Sequence, residues 1–519
     1  MASLETIPEL LQAAARERGA VEALVIPAAR LDYADLLHRV ERLAGGLAAQ
    51  GVGPGAHVAI CMANAPEWLI AWYAAVWLGA TAVPINTRWK DEEIAWALDF
   101  SDVSCVAFAD TVVKVDFLAM FARLRPRLPK VATWIAVGAR VPAWARHFDD
   151  VAGPAPPINA DPDSIGLIQF TSGSTARPKG AMLSHAAMLI SARGGADAQG
   201  VHTGDRYFCP RPFFHVAGSV AAALVTLATQ SCLVSIPVFD PALAVRMLAE
   251  ERCNFTVGND SMFLMLMNQP DIPELPDLRG GYAAAGPQVH RLIRERLGAP
   301  YLCSSYGMSE TCSSPALARW DDPFESRAAG LLLPYPGVEI RIRRPGARTD
   351  CAIGEPGELF IRGRIVMSGY YKQPEETAAA IDAEGWLASG DVAVAEPGGR
   401  FRYIGRLKDI IRVGGENVSP AEVESFLLKH PDIAAAQVVG LPDERLGEIV
   451  AAYVILRAGA RATPAALIEW ARQAMAGYKA PRHIGIVASF DDVMTGSGKP
   501  RKDLLRARAR AEFAPGKAA

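Results

Sequence analysis

TSGSTARPKG, residues 171–180, follows an apolar run at 165–170 that is typical of a buried strand. Its glycines and small hydroxyl residues leave the backbone open to a polyanion, and Lys179 adds a positive charge. Gly180 and Ala181 follow that lysine where a Walker loop has a Ser or Thr, so the stretch is not a Walker loop. A flexible Ser/Gly linker has a similar composition. The ten residues alone therefore leave phosphate binding and a linker both open.

Helical and strand patterns alternate on both sides of this loop. Apolar residues at 33–47 recur at helical spacing, and the runs at 58–61 and 81–85 are typical of strands. Between those two strands, an apolar segment beginning at Trp68 is typical of a buried helix. The alternation continues to about Gly330 and predicts parallel sheets covered by helices.

The sequence pattern changes after Gly330. Short β-rich runs separated by Pro and Gly turns, at 337–403, predict a more antiparallel region. The block YIGRLKDIIRVGGENVSPAEVE (403–424) then leads into a new helix, which Ser419 is expected to cap. We place a domain boundary in this block, at Lys408. The fold class predicted is α/β: a large N-terminal domain of α/β-layered sheets plus a β-rich subdomain, and a small α+β C-terminal domain.

Length and composition exclude several classes of protein. With 519 residues the chain exceeds what one hydrophobic core usually supports, so we expect at least two domains. A formal net charge of -3 gives no broad reason to bind nucleic acid or an anionic membrane. The 8 cysteines form no CxxC pair, which is typical of reduced thiols and predicts neither a zinc site nor a disulfide framework. The first residues do not resemble a signal peptide, so we expect a cytoplasmic protein.

Two long runs without charged residues, 68–85 and 216–238, need to be considered as membrane spans. Glycine and proline interrupt the first run, and glutamine, serine and proline interrupt the second. Each run therefore reads better as a buried helix followed by a buried strand, and no membrane span is predicted.

Five short motifs, taken in order, favour phosphate binding over a linker. They are TSGSTARPKG (171–180), FFHVAG (213–218), YGMSET (306–311), SGD with GR (389–391 and 405–406), and TGSGK (495–499). In identity, order and spacing they resemble the adenylate-forming superfamily of acyl-CoA synthetases, adenylation domains and beetle luciferases, and the resemblance covers nearly the whole chain. It implies an enzyme that uses ATP and Mg2+ to join a carboxylic acid to AMP with release of pyrophosphate. The acyl group is then transferred to coenzyme A.

The resemblance also implies which residues bind ATP. A carboxylate is a poor electrophile, so it is activated as a mixed anhydride with AMP, which requires polyphosphate, magnesium and acid to be held in line. The residues implied at the phosphates are Thr171, Ser172, Gly173, Ser174, Thr175 and Lys179. Those implied at the rest of the nucleotide are Gly286, Tyr306, Gly307, Ser309, Asp391 and Arg406. Ala176 stands where the family usually has glycine.

Four residues are implied to be catalytic. Glu310 offers a carboxylate to Mg2+, which prefers oxygen ligands. Lys499 aligns with a lysine that bridges the acid and the α-phosphate, where positive charge stabilises the transition state. Thr171 is shared with the phosphate loop, and His215 is expected to gate the acyl and thiol channels. A packed core histidine is the alternative for His215.

The position of Lys499 near the C-terminus implies that the C-terminal domain moves. The resemblance implies an N-terminal domain at 1–407 and a mobile lid domain at 408–519, with the hinge at Lys408. After adenylation the lid is expected to rotate, because one lysine cannot stay between the reacting groups while a thiol enters. The residues then expected in the coenzyme A channel are Gly414, Gly415 and Glu416.

The acyl pocket is expected to come from four segments, 214–218, 258–262, 283–286 and 306–313. The residues expected to line it are Phe214, His215, Val216, Gly218, Asn259, Met262, Ala284 and Met308. These segments contain no Lys or Arg, so a second carboxylate would be unpaired, and we expect a hydrophobic monocarboxylic acid. The polar group at 259–261 either binds a hydroxyl or keto group of the acid or caps a helix that faces away. Fatty, alicyclic or terpenoid, and aryl acids remain open.

Other functions were weighed against an acid–thiol ligase. A separate acyl carrier protein is the alternative acceptor. An amino-acid-activating domain would have an Asp in the segment FFHVAG to hold the ammonium group, and none is present. A scaffold that had lost the chemistry would not need both Glu310 and Lys499. The sequence does not give the oligomeric state.

Overall fold

The computed structural model describes residues 5–171, 177–344, 346–347, 349–494 and 500–513. Its helices are α1 (Ile7–Arg18), α2 (Tyr33–Ala49), α3 (Pro66–Trp77), α4 (Asp91–Phe100), α5 (Phe117–Leu124), α6 (His185–Gln199), α7 (Val216–Gly218), α8 (Val225–Thr229), α9 (Pro241–Glu250), α10 (Asp260–Met267), α11 (Pro287–Leu297), α12 (Phe324–Ala328), α13 (Pro374–Ala380), α14 (Pro420–Leu427), α15 (Pro464–Ala474) and α16 (Lys502–Phe513). A π-helix, Ser219–Leu224, joins α7 to α8.

The strands fall into the α/β part and the later antiparallel parts that the sequence predicts. In the first part they are β1 (Glu22–Ile26), β2 (Ala29–Asp32), β3 (His57–Cys61), β4 (Thr81–Pro84), β5 (Cys105–Ala109), β6 (Thr111–Val112), β7 (Val115–Asp116), β8 (Thr133–Val137), β9 (Arg146–His147), β10 (Ile165–Thr171), β11 (Lys179–Ser184), β12 (Arg206–Cys209), β13 (Cys232–Ser235), β14 (Phe255–Asn259), β15 (Gly280–Ala284), β16 (Tyr301–Met308), β17 (Ser313–Leu317) and β18 (Leu333–Pro334). In the later parts they are β19 (Glu339–Arg343), β20 (Pro356–Arg362), β21 (Leu387–Glu396), β22 (Arg400–Arg406), β23 (Ile411–Val413), β24 (Glu416–Val418), β25 (Ile433–Asp443), β26 (Gly447–Leu456) and β27 (His483–Ile486).

A seven-stranded sheet, ordered β11-β10-β4-β3-β5-β8-β9, contains the strand before the glycine-rich loop. Its strands β3, β4, β5 and β8 pair in parallel, and β10 joins β4 in parallel, as helix–strand alternation predicts. β10 and β11 form an antiparallel hairpin in which Thr171 pairs with Lys179. The Ser184 side chain accepts the Ala187 N–H and so caps α6, the helix that follows this hairpin.

A nine-stranded sheet, ordered β18-β17-β16-β15-β14-β12-β13-β1-β2, forms the second layer. Parallel partners in a sheet share a face, and Val257, Tyr282 and Cys303 are such partners across β14, β15 and β16. Their side chains belong to the large core that also contains α3 and α6, whereas the opposite face packs on α9, α10 and α11. One face of this sheet therefore looks into the space between the two sheets.

The two long uncharged runs are a buried helix followed by a strand, as predicted. Residues 68–85 contain most of α3, which is buried on all sides, and then β4. Residues 216–238 contain α7, the π-helix, α8 and then β13. In the part of the chain that the structure describes, no helix is long and apolar enough to cross a membrane.

The C-terminal third is antiparallel, apart from one pair. β19–β22 form an antiparallel sheet, and β23–β26 form another, to which β27 adds in parallel. Lys408 lies in the turn between β22 and β23, where Asp409 N–H and Ile410 N–H donate to the Arg406 carbonyl. Ser419 occupies the N-cap position of α14, but its hydroxyl donates to the Ile404 carbonyl at 2.7 Å. The expected capping box is therefore absent from α14, because this hydroxyl ties the helix to β22 instead.

Candidate nucleotide and acyl site

A cavity of about 2220 Å3 lies where the nine-stranded sheet, the antiparallel sheet and the C-terminal helices meet. The predicted site residues that line it are Thr171, Lys179, Ala284, Gly286, Tyr306, Gly307, Glu310, Asp391, Arg406 and Lys408. Residues from both predicted domains therefore share one cavity, although they lie far apart in the sequence.

Tyr306 lines the cavity beside a buried carboxylate. Its hydroxyl donates to Asp391 Oδ2 at 2.6 Å, and Arg406 Nε lies 3.0 Å from Asp391 Oδ1. Asp391 is 2% exposed, so the guanidinium compensates a carboxylate that would be costly to bury alone. A Cβ on Gly307 would lie 1.6 Å from the Ser313 carbonyl oxygen, which excludes any other residue there. An aromatic ring for a base and a carboxylate for ribose hydroxyls thus stand side by side.

Glu310 lies in a short turn after β16, and the Tyr370 side chain contacts its carboxylate. It is 8% exposed, and the Tyr370 hydroxyl donates to its Oε1 at 2.9 Å. Lys179 Nζ lies 4.9 Å from the centroid of the Tyr370 ring. Burial and the neighbouring carboxylate hold the pKa of Tyr370 far above its usual value, so the hydroxyl stays a donor. The Tyr370 side chain therefore contacts the Glu310 carboxylate through its hydroxyl and the Lys179 ammonium through its ring.

The surroundings of Glu310 fit Mg2+. In the described ranges no group of three or more His, Cys, Asp or Glu side chains could hold a metal ion. Magnesium does not need such a cage, since it commonly takes one or two carboxylates, waters and ligand phosphates. The buried Glu310 carboxylate lines a cavity with room for waters and phosphates, which is a donor set that suits this ion.

Several predicted residues lie outside the described ranges: Ser172, Gly173, Ser174, Thr175 and Lys499. The residues that flank them are described. Thr171 and Lys179, on either side of the glycine-rich loop, both line the cavity. Met494 and Pro500, on either side of the loop with Lys499, form a β-bridge and line the same cavity. Both loops therefore begin and end at one wall.

The C-terminal part docks on the loop between β15 and α11. A Cβ on Gly286 would lie 2.3 Å from Ser425 Oγ of α14, so any other residue here would force the Ser425 side chain or α14 to shift. Asp260 Oδ1 accepts the Gly286 N–H at 3.0 Å. Burial raises the pKa of Asp260 to about 7, and the negative charge of Glu424 also raises this pKa. The Gly286 N–H and the positive charge of Lys502 lower it. The docked arrangement thus places a buried carboxyl group beside charges of the C-terminal part.

Residues 259–261 were expected either to bind the acid or to cap a helix, and two of them differ in this respect. Asn259 Oδ1 accepts the Met262 N–H at 3.0 Å and so caps α10. Asp260, in contrast, lines the cavity. The helix cap and the cavity-facing polar group are therefore both present, on neighbouring residues.

The predicted coenzyme A residues are not at this cavity. Gly414 and Gly415 form the turn between β23 and β24, with φ values of 60° and 92° that favour glycine. The Gly414 N–H donates to the Leu446 carbonyl at 2.7 Å, and neither these glycines nor Glu416 line the cavity. Of these two predicted segments, the one with Lys499 has both described flanks, Met494 and Pro500, at the cavity, whereas the glycine turn does not line it.

FFHVAG folds into a buried turn beside β10. His215 Nδ1 accepts the Ala217 N–H at 3.1 Å at the start of α7, and the Phe214 carbonyl accepts Gln169 Nε2 at 3.1 Å. A Cβ on Gly218 would lie 2.3 Å from the Pro212 carbonyl oxygen. Val216 and Met262 are buried as well, and Met308 Sδ lies 3.9 Å from the Tyr306 hydroxyl. Of the expected acyl residues, Ala284 is the one that lines the described cavity.

One cavity residue, Tyr370, and one buried cation, Arg211, were missed from the sequence. Tyr370 lies in GYY, and nothing local links it to a glutamate 60 residues earlier. Arg211 left a signal, since it is a charged residue in the otherwise apolar CPRPFF (209–214). It lies just outside the segments in which Lys and Arg were found to be absent.

Comparisons with known proteins agree with this geometry. A family model for AMP-binding enzymes matches residues 11–371, and one for the AMP-binding enzyme C-terminal domain matches residues 422–499. A propanoyl:CoA ligase from Rhodococcus jostii, whose acyl group carries a methyl-dioxo-octahydroindenyl ring system, is 33% identical over 96% of this chain and 98% of its own. The mitochondrial medium-chain acyl-CoA ligase ACSF2 of Mus musculus is 30% identical over 96% of this chain and 87% of its own. The structure of o-succinylbenzoate coenzyme A synthetase (MenE) from Bacillus subtilis with AMP is 26% identical, with a TM-score of 0.79 over 96% of this chain and 98% of that one.

Proposed function

This chain belongs to the AMP-binding enzyme family, and from that premise we propose that it is an ATP-dependent acyl-CoA synthetase. It converts a carboxylic acid and ATP to acyl-AMP and pyrophosphate, and then transfers the acyl group to coenzyme A with release of AMP. The observation that carries the proposal is the shared cavity. Tyr306, Glu310 and Asp391 line it together with both flanks of the loop that contains Lys499.

The nucleotide site follows from the arrangement around Tyr306. Its ring would stack on adenine, and Asp391, held by Arg406, would accept the ribose hydroxyls. The backbone near Gly286 and Gly307 borders the same space, and Ser309 follows on the turn after β16. The phosphates would extend towards Lys179 and the loop of Thr171, Ser172, Gly173, Ser174 and Thr175.

Glu310 would hold Mg2+, with Tyr370 fixing the carboxylate. When bound, the ion neutralises charge on the phosphates. The protein's part is to position the reactants: the acid's carboxylate oxygen forms a bond to the α-phosphorus while the bond to pyrophosphate breaks. Lys499 would place its ammonium where negative charge accumulates between the acid and the α-phosphate.

The second step would need a rearrangement of domain 408–519 relative to domain 1–407. Lys408, which is exposed in the turn between β22 and β23, would act as the hinge. Rotation there would withdraw Lys499 and bring Gly414, Gly415 and Glu416 towards the channel. The thiolate sulfur of coenzyme A would then bond to the acyl carbon, and the bond from that carbon to AMP would break. His215, beside Phe214, would border this path.

The acid would bind against the inner face of β15 and the FFHVAG turn, with Phe214, Val216, Gly218, Met262, Ala284 and Met308 as apolar walls. Asn259 would border this space from the start of α10. The relatives act on a medium-chain fatty acid and on an alicyclic dioxo acid, so both classes are candidates here. A separate carrier protein as acceptor is the alternative to coenzyme A. The 8 free cysteines support a reducing compartment, and we place the protein in the cytoplasm.

The test is pyrophosphate release across a panel of fatty, alicyclic and aryl acids, with and without coenzyme A. The proposal expects thioester and AMP in equal amounts when all three substrates are present. Pyrophosphate release with no thioester would point to the carrier-protein alternative. No release with any acid would contradict the proposal.

A further inference from the structure

Arg211 is a buried cation that forms no ion pair with any carboxylate in the described part of the chain. It lies just after β12 and is 4% exposed. Its backbone is fixed, since the Arg211 carbonyl accepts Asn64 Nδ2 at 2.9 Å. Among the residues that the structure describes, no carboxylate forms an ion pair with its guanidinium, and its Nε has no hydrogen-bond partner. A buried charge is costly unless it is paired, so this arrangement calls for an acceptor that the chain does not provide.

Two tyrosines lie near this guanidinium. The sheet register pairs Phe208 with Thr256 and Val257 with Tyr282, so Cys209 and Tyr282 lie in one row, and Arg211 follows Cys209 by two residues. Burial raises the pKa of Tyr282 to about 12, and the positive charge of Arg211 opposes this rise. Tyr335 lies against α6, where a Cβ on Gly194 would be 2.4 Å from its ring. Within the described ranges the Tyr335 hydroxyl has no hydrogen-bond partner, and Tyr282 is near enough to raise its pKa further. Arg211 and both hydroxyls can donate hydrogen bonds into one region.

This polar group lies on the face of the sheet that carries the expected acyl pocket. Tyr282 and Ala284 are two residues apart on β15, so their side chains point to the same face. Ala284 lines the nucleotide cavity, whereas Tyr282 is buried among the residues between the two sheets. Arg211 precedes the FFHVAG turn. Tyr282 therefore shares the face of Ala284 but lies in the core between the two sheets and not in the wall of the described cavity.

We propose that Arg211, Tyr282 and Tyr335 form a specificity subsite for an oxygen acceptor on the acyl group, remote from the carboxylate that is activated. The acceptor is a keto oxygen or a second carboxylate, since both accept from a guanidinium. This inference rests on the proposed function and names the class of acid. A site built to hydrogen-bond a substrate oxygen discriminates strongly against an analogue that lacks it, because its buried donors are then unpaired.

The test compares three acids of equal length: octanoic acid, 7-oxo-octanoic acid and octanedioic acid. We expect kcat/KM for at least one of the oxygenated acids to exceed that for octanoic acid by about 100-fold or more. The better of the two identifies the acceptor as keto oxygen or carboxylate. Equal values for all three acids would overturn the subsite but leave the ligase intact, whereas no turnover of any acid would count against the ligase itself.

Arg211→Met keeps an unbranched side chain and removes its charge. The preference for the oxygenated acid should fall to within a few-fold of octanoic acid. The matched control is Arg252→Met, at an exposed arginine paired with Asp277, and it should keep the preference. A preference that persists in Arg211→Met would overturn the proposal. Should that variant fail to fold, Tyr335→Phe removes only a hydroxyl and should lower the preference about 10-fold, and an unchanged preference there would overturn it equally.

Discussion

Tyr370→Phe should weaken the binding of MgATP while leaving the fold intact. The substitution removes one hydroxyl and keeps the ring on which Lys179 lies. That hydroxyl donates to Glu310 Oε1 at 2.9 Å. Glu310 lies in the cavity wall and is 8% exposed. A hydrogen bond to a charged group contributes about 1.5–3 kcal/mol. Taking the lower end, we expect about a tenfold higher Kd for MgATP.

The direction of this change depends on which of two effects is larger. The hydroxyl withdraws some negative charge from the carboxylate, which opposes metal binding. It also holds the carboxylate in one orientation, so that binding of the ligand costs little side-chain entropy at Glu310. We expect the second effect to dominate because Tyr370 is the side chain that fixes this glutamate in the cavity wall.

Tyr371→Phe is the matched control. Its hydroxyl also donates to a carboxylate, Asp102 Oδ2 at 2.8 Å, but neither residue lines the cavity. Calorimetric titration of both variants with ATP, at several Mg2+ concentrations, separates loss of the site from loss of stability. If Tyr370→Phe bound MgATP as tightly as Tyr371→Phe, the positioning role of Tyr370 would be refuted.

Three further predictions concern the docking of the C-terminal part. Gly286→Ala should slow pyrophosphate release at least tenfold, because its Cβ would lie 2.3 Å from Ser425 Oγ. Adding Ser425→Ala should restore part of the rate. A double variant as slow as Gly286→Ala would show that the effect does not arise from this contact. The pKa of Asp260 is raised to about 7, so unfolding releases a proton between about pH 4 and 7 and the free energy of unfolding falls as pH rises through that window. Asp260→Asn should remove up to about 4 kcal/mol of that fall, measured by urea unfolding at both ends of the window, and equal slopes would contradict the assignment. Lys499→Ala should abolish acyl-AMP formation but spare thioester formation from supplied acyl-AMP. Lys408→Pro should spare acyl-AMP formation and abolish thioester formation. Equal loss of both half-reactions in both variants would argue against domain rotation.

Much of the site could be predicted because motifs are local. Thr171 and Lys179 lie in one short stretch, and a hairpin brings both to the cavity. The alternation of helical and strand patterns predicts the α/β sheets for the same reason, since periodicity is read over a few residues.

What could not be predicted depends on tertiary pairing. The bond between Tyr370 and Glu310 joins segments 60 residues apart, and the contact between Gly286 and Ser425 depends on how two domains dock. Ser419 fits the sequence pattern of a helix cap, yet its hydroxyl donates to the Ile404 carbonyl of β22. A sequence pattern does not show which distant carbonyl will lie near the hydroxyl in the folded chain. Arg211 is visible in the sequence as a charge in an apolar stretch, but its lack of a partner appears only in three dimensions.

The central claim is that the acid's carboxylate attacks the α-phosphorus of ATP. Supplying the acid with oxygen-18 in its carboxylate, together with ATP, Mg2+ and coenzyme A, tests this directly by mass spectrometry of the products. The account predicts that AMP gains one labelled oxygen and that pyrophosphate gains none. Label in inorganic phosphate, with ADP as the nucleotide product, would show an acyl phosphate instead and would contradict it.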